Sequence, residues 1–158
     1  MFLDTITYGT LLVGVIRAGH VVFPISPRNS PQAVAHLLQK TGAAHVFIGV
    51  EPALQELADS AMKIVSVAGS VTTPTTSPMP TFEDLYVGDG ADFKPLAHYR
   101  PGWDDDALIM HSSGASHYPV RVQRLIVSLG STAFPKPIVW SHYRLLLLSL
   151  IPCATLFV

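Results

Sequence analysis

The sequence predicts an α/β fold, a partial parallel sheet flanked by helices, and three observations carry that prediction. Short apolar runs rich in Val, Ile and Phe alternate with amphipathic stretches. Capping and chain-breaking residues stand at the boundaries between them. Hydrophobic residues make up 49% of the chain and charged ones 13%, which is the composition of a core-forming chain and not a disordered one. Strands and helices alternating at this spacing build right-handed βαβ units, and 158 residues suit one ordinary domain.

The elements follow in order. Thr5 to Arg17 reads as an apolar helix that Gly19 can end. Val21-Val22-Phe23-Pro24 reads as a short buried strand closed by proline. Ser30-Pro31 is a cap followed by proline at the first helical position. The helix it starts puts Val34, Leu37 and Leu38 on one face, and Gly42 can terminate it. Residues 44–48 read as a second buried strand. Glu51-Pro52 opens a helix through Leu54, Leu57 and Ala58, and residues 63–67, rich in β-branched side chains, read as a third strand. Residues 69–80 are rich in Thr, Ser and Pro and are expected as a surface loop. Residues 81–86 suit one helical turn, and residues 88–102 show little periodicity. Residues 107–110 form an apolar strand running directly into Ser and Gly. Residues 145–158 are strongly apolar, hold Pro152 and are too short to span a bilayer, so a buried helix is expected.

Composition excludes several functions. Net charge is −1 without a basic stripe, which argues against a nucleic-acid surface. Cys153 is the single cysteine, so no internal disulfide or multi-cysteine metal site can form. No signal peptide or membrane span is expected, and a reducing, cytoplasmic setting is the natural one. The seven histidines His20, His36, His45, His98, His111, His117 and His142 lack HxxxH or HxH spacing, so surface or core roles are expected and no metal site. Asp104-Asp105-Asp106 reads as a solvated turn before a strand, in preference to a Mg²⁺ site. Arg28-Asn29-Ser30 reads as a helix-capping turn, and Trp140 as a core residue.

The chemistry lies where the strand at 107–110 empties into small residues. Glycine lets backbone approach an anion, exposed N–H groups point at it, and hydroxyls add donors. His111-Ser112-Ser113-Gly114 begins such a loop, and Ser131-Thr132-Ala133-Phe134-Pro135-Lys136-Pro137 supplies further hydroxyls, a rigid proline and a cation. It is not a Walker loop, since GxxxxGK[ST] is absent.

Together the two halves resemble the phosphate-binding signature of adenylate-forming (AMP-binding) enzymes, [T/S]-S-G-[S/T]-T-G-x-P-K, through Ser112, Ser113, Gly114, Ser131, Thr132, Pro135 and Lys136. Asp106-Ala107-Leu108-Ile109 and Ser141-His142 also fit the family's flanks. Gly14-Val15-Ile16-Arg17-Ala18-Gly19 through Phe23-Pro24-Ile25 is similar to its helix-to-strand segment. The wording of Pro24-Ile25-Ser26-Pro27-Arg28-Asn29-Ser30-Pro31 and of Phe134-Pro135-Lys136-Pro137 is closest to fungal nonribosomal-peptide-synthetase-like and aminoadipate-type carboxylate reductases. The resemblance implies an incomplete N-terminal domain over residues 1–158. It implies an ATP- and Mg²⁺-dependent reaction in which a carboxylic-acid substrate attacks the α-phosphate to give an acyl-adenylate and pyrophosphate. By that likeness Ser112, Ser113, Gly114, Ser131, Thr132 and Lys136 would contact nucleotide phosphate. Lys136 would stabilise the departing pyrophosphate.

Two departures set this chain apart. Residues 115–130, 16 in all, separate Gly114 from Ser131, and the expectation is that they pull the donors apart. Ala133 stands where the family has glycine, at a cost of about 1 kcal/mol if φ there is positive. Removing 115–130 or 114–129 leaves the same joined product, Ser-Ser-Gly-Ser-Thr-Ala-Phe-Pro-Lys-Pro, so the segment reads as a translated intron. The family's adenine motif, ribose-binding aspartate, acyl pocket and mobile domain with its catalytic lysine are expected to lie in further chain of a larger multidomain enzyme. No catalytic residue is therefore assigned here. The fragment of an adenylating enzyme is expected to be inactive as it stands, and the alternative is a catalytically dead fragment or gene-model product with at most an interaction role.

Overall fold

A computed structural model describes residues 5–67, 73–87, 100–112 and 134–155. Their order is α1 (Thr5–Arg17), α2 (Pro31–Thr41), β1 (His45–Ile48), α3 (Pro52–Val67), β2 (Thr75–Pro78), α4 (Phe82–Tyr86), β3 (Asp106–His111), β4 (Pro137–Ser141) and α5 (His142–Thr155). The fold is α/β, with strands paired as β1–β2 and β3–β4. They belong to two compact units, one drawn from residues 1–24, 80–110 and 139–158, the other from 25–79 and 111–138.

Among the described residues the second unit holds the larger core, and local sequence explains its frame. Ser30 takes an extended backbone, and its Oγ accepts the Ala33 N–H at 3.2 Å, satisfying a donor that the first helical turn leaves open. At the other end of α2, Gly42 adopts φ 62°, ψ 34° and donates its N–H to the Leu38 carbonyl, the left-handed stop that glycine makes without strain. Helices α2 and α3 pack through Val34, Ala35 and Leu38 against Ala61 and Val65. Ala35 and Ala61 are almost fully buried, so small side chains let the two backbones approach closely.

Residues 63–67 were expected as a strand but continue α3 to Val67. Ala61 and Val65 stand four residues apart on one buried helical face, and no Gly or Pro interrupts the turn between them. Burial of that face outweighs the modest strand preference of Ile64, Val65 and Val67. The third strand arises instead inside the expected 69–80 loop. There β2 pairs in parallel with β1, His45 with Thr75 through Ile48 with Pro78. Thr75 N–H donates to the Ala44 carbonyl and Met79 N–H to that of Ile48. The strand stays largely exposed, as a surface segment should, and Pro78 sits at its last paired position, where a missing donor is tolerated. Thus β1, α3 and β2 form the expected βαβ unit with its last strand moved ten residues or so downstream.

In the first unit, α1 ends as the sequence predicts. Gly19 has φ 83°, its N–H reaches the Ile16 carbonyl and His20 N–H that of Val15. The segment expected as a strand at 21–24 is reduced to one parallel bridge, Val22 with Leu108. Helix α4 carries a capping box in which Thr81 Oγ1 accepts the Asp84 N–H and the Asp84 carboxylate accepts the Thr81 N–H. Helix α5 begins with His142 and Tyr143 N–H groups donating to the Asp105 and Trp103 carbonyls. It was expected to be buried. Leu146, Leu147 and Leu148 are instead 44%, 46% and 41% exposed. No helix among the described residues is long and apolar enough to cross a membrane.

Candidate phosphate-binding site

Strand β3 ends at His111 and β4 begins at Pro137, so the residues that flank the loop are Ser112 and Lys136. They face one another across the mouth of the loop. Ser112 N–H donates to the Lys136 carbonyl and Lys136 N–H donates to Ser112 Oγ, both at 3.1 Å. This reciprocal pair, with His142 N–H on the Asp105 carbonyl beyond the other end of the strands, gives β3 and β4 an antiparallel sense. The separation expected between Gly114 and Ser131 falls outside the described residues. The strand pairing holds Ser112 and Lys136 together despite the 16 residues inserted between them.

The chemistry of that pair suits an anion. A hydroxyl has one donor and two acceptor lone pairs, so accepting the Lys136 N–H leaves the Ser112 O–H to donate elsewhere and polarises it toward doing so. Both side chains are exposed. Pro135, buried, precedes Lys136, and Phe134 stacks on His36 of α2 with ring centroids 5.1 Å apart and planes 21° from parallel. The approach to Lys136 is thus fixed by packing as well as by the strand. Ser113, Gly114, Ser131 and Thr132, together with Ala133 and residues 115–130, lie outside the described residues.

The structure adds three residues to the neighbourhood. His111 Nε2 lies 3.1 Å from the Ser26 amide nitrogen and 3.4 Å from Asn29 Nδ2, while Nδ1 lies 3.1 Å from the Ser112 carbonyl oxygen. An amide N–H can only donate, so Nε2 carries its lone pair and the proton sits on Nδ1, which donates to Ser112. Ser26 to Asn29 is itself a closed turn, with Asn29 N–H on the Ser26 carbonyl and Arg28 N–H on Ser26 Oγ. The turn leads directly to the cap of α2, as its sequence predicts. Its link to His111 spans 85 positions and has no local signature, so the sequence places His111 at the start of the loop without revealing this partner.

The other unit carries an open groove of about 550 Å³ lined by Asp104, Asp106, Val139, Ser141, Tyr143, Arg144 and Leu147. Asp105 is spent locally, its carboxylate accepting the Gly102 N–H at 2.8 Å, in keeping with a solvated turn. Among the described residues no group of three or more His, Cys, Asp or Glu side chains could hold a metal ion. Trp140 is half-buried in β4.

Comparison with known proteins places the chain among fungal relatives. An adenylate-forming reductase of Heterobasidion annosum, Nps10, is 44% identical over 152 residues, covering 95% of this chain and 12% of that protein. Another, Nps11 of Serpula lacrymans, is 37% identical over 123 residues, covering 73% of this chain and 11% of its own length. The chain therefore spans only about a tenth of the curated relatives it matches. No solved structure matches it. The family described as AMP-binding enzyme matches residues 4–116, from the first helix through the strand to the first half of the loop, and the chain belongs to that family.

Proposed function

We propose that the chain is the phosphate-binding portion of an ATP-dependent enzyme that adenylates a carboxylic acid, a reading supported by relatives named adenylate-forming reductases. The observation that carries this reading is the reciprocal Ser112–Lys136 pair, which holds the Ser112 hydroxyl and the backbone of the lysine residue together at the mouth of the loop. ATP, with Mg²⁺, supplies the α-phosphate that the acid attacks. Ser112 contributes its O–H to phosphate oxygen, and Lys136 contributes charge where pyrophosphate develops. Ser113, Gly114, Ser131 and Thr132 complete the donor set of the proposal.

Inorganic pyrophosphate titrated into the chain should shift the Ser112 and Lys136 amide resonances. Lys136→Ala should weaken binding about tenfold, because a charge-assisted contact is worth roughly 1.5–3 kcal/mol. The absence of any shift at these two residues would refute the reading. A second reading, that the chain is inert toward acids, is favoured by the 16 residues that break the signature. It predicts no ATP–pyrophosphate exchange with any carboxylic acid even where pyrophosphate binds, and measurable exchange would overturn it.

A further inference from the structure

We propose that His111 is a positioning residue that ties the Ser26–Asn29 turn to the first residue of the phosphate loop, working as a neutral, Nδ1-protonated ring. The inference rests on the phosphate reading above. Its geometry is that of a two-ended link. At one end Nε2 accepts the Ser26 N–H at 3.1 Å, with Asn29 Nδ2 at 3.4 Å. At the other, Nδ1–H donates to the Ser112 carbonyl at 3.1 Å. Peptide groups are planar, so fixing that carbonyl fixes the plane of the peptide by which the chain enters the loop. Ser112 is the residue whose N–H and Oγ hold Lys136, so the link continues from the turn through His111 and Ser112 to the ammonium-bearing residue. The turn is held in its own right, since it runs into the Ser30 cap of α2 and α2 packs on the core. A rigid element thereby sets the orientation of the Ser112 carbonyl at the entry to the loop.

The tautomer is what makes the link work. Protonation at Nε2 would set N–H against N–H at Ser26, and a ring protonated only at Nε2 would lose the donor to Ser112 as well. The half-buried ring keeps both nitrogens on protein partners.

The test uses the full chain. Long-range ¹H–¹⁵N correlation spectra of the imidazole should show the Nδ1–H tautomer, and an Nε2–H tautomer would overturn the proposal. His111→Phe should lower hydrogen-exchange protection of the Ser26 amide at least fivefold while α2 amides keep theirs, which separates loss of the link from unfolding. His111→Gln, whose Oε1 can accept the Ser26 N–H, should restore that protection. Pyrophosphate binding should fall at least fivefold in His111→Phe and recover in His111→Gln. Unchanged pyrophosphate affinity in His111→Phe would refute the positioning role. Failure of the unsubstituted chain to bind pyrophosphate would refute the phosphate reading and the role built on it. That failure is told apart from failure of the link by the tautomer and exchange measurements, which need no ligand.

Discussion

Deleting residues 115–130 should stabilise the protein, because the two ends of the interrupted loop are already joined. Ser112 and Lys136 lie 24 positions apart and hydrogen-bond at 3.1 Å. Removing the 16 residues brings them to 8 positions apart and restores Gly114 beside Ser131. The entropic cost of closing a loop grows as three-halves of RT times the logarithm of its length, so a threefold shortening lowers it by about 1 kcal/mol on length alone. A small protein loses roughly 1–3 kcal/mol of stability per molar urea, so the unfolding midpoint should rise by roughly 0.3–1 M. Urea unfolding of the two chains, followed by far-ultraviolet circular dichroism, measures this directly. A lower midpoint in the deletion variant would refute the reasoning. It would mean that Val120, Val122, Leu125, Ile126, Val127 and Leu129 bury surface in the native state. One such side chain, worth about 1.5–3 kcal/mol when fully buried, already exceeds the gain from shortening.

Three further outcomes are expected. Ser112→Ala removes the oxygen that accepts the Lys136 N–H, and at about 1 kcal/mol for an ordinary hydrogen bond the Lys136 amide should lose roughly fivefold in exchange protection; unchanged protection would dissociate the pair from loop closure. Gly42→Ala forces a Cβ into a φ of 62° and should destabilise the α2–α3 unit by about 1 kcal/mol in urea unfolding, even though no atom crowds the site. Asp84 accepts the Thr81 N–H and hydroxyl, the backbone bond foremost, and these hold its carboxyl below the ordinary aspartate value of 3.8. Its contribution to the α4 cap is therefore complete above the unfolded carboxyl's range and lost as pH falls through the lowered folded value. A carboxyl ¹³C titration should place the midpoint below that of an unstructured aspartate, and Thr81→Ala should raise it.

The origin of residues 115–130 is a separate matter from their effect. Their boundaries fit a translated intron, since either of two frames of removal restores one joined sequence. Full-length transcripts that keep these codons in translated message, with no spliced form, would show a genuine insertion instead.

Local chemistry was legible from the residues alone. Ser30-Pro31, Gly19 and Gly42 act through backbone groups within a few residues of themselves, so capping and left-handed turns could be assigned without any knowledge of what packs against them. The strand that leads to the loop was legible for the same reason, and β3 lies where its apolar run predicts. Tertiary structure decided what depends on distant partners. Residues 63–67 carry strand-forming side chains but remain helical, because Ala61 and Val65 bury one face against α2. Thr75–Pro78 becomes a strand because β1 offers an edge to pair with, which a Thr- and Pro-rich run does not announce. The Ser112–Lys136 pair survives a long interruption because antiparallel strands, not the intervening chain, set the distance between them. The placing of His111 between Ser26 and Ser112 was likewise beyond local reading, since a hydrogen bond spanning 85 positions is created by the fold and leaves no spacing to be read.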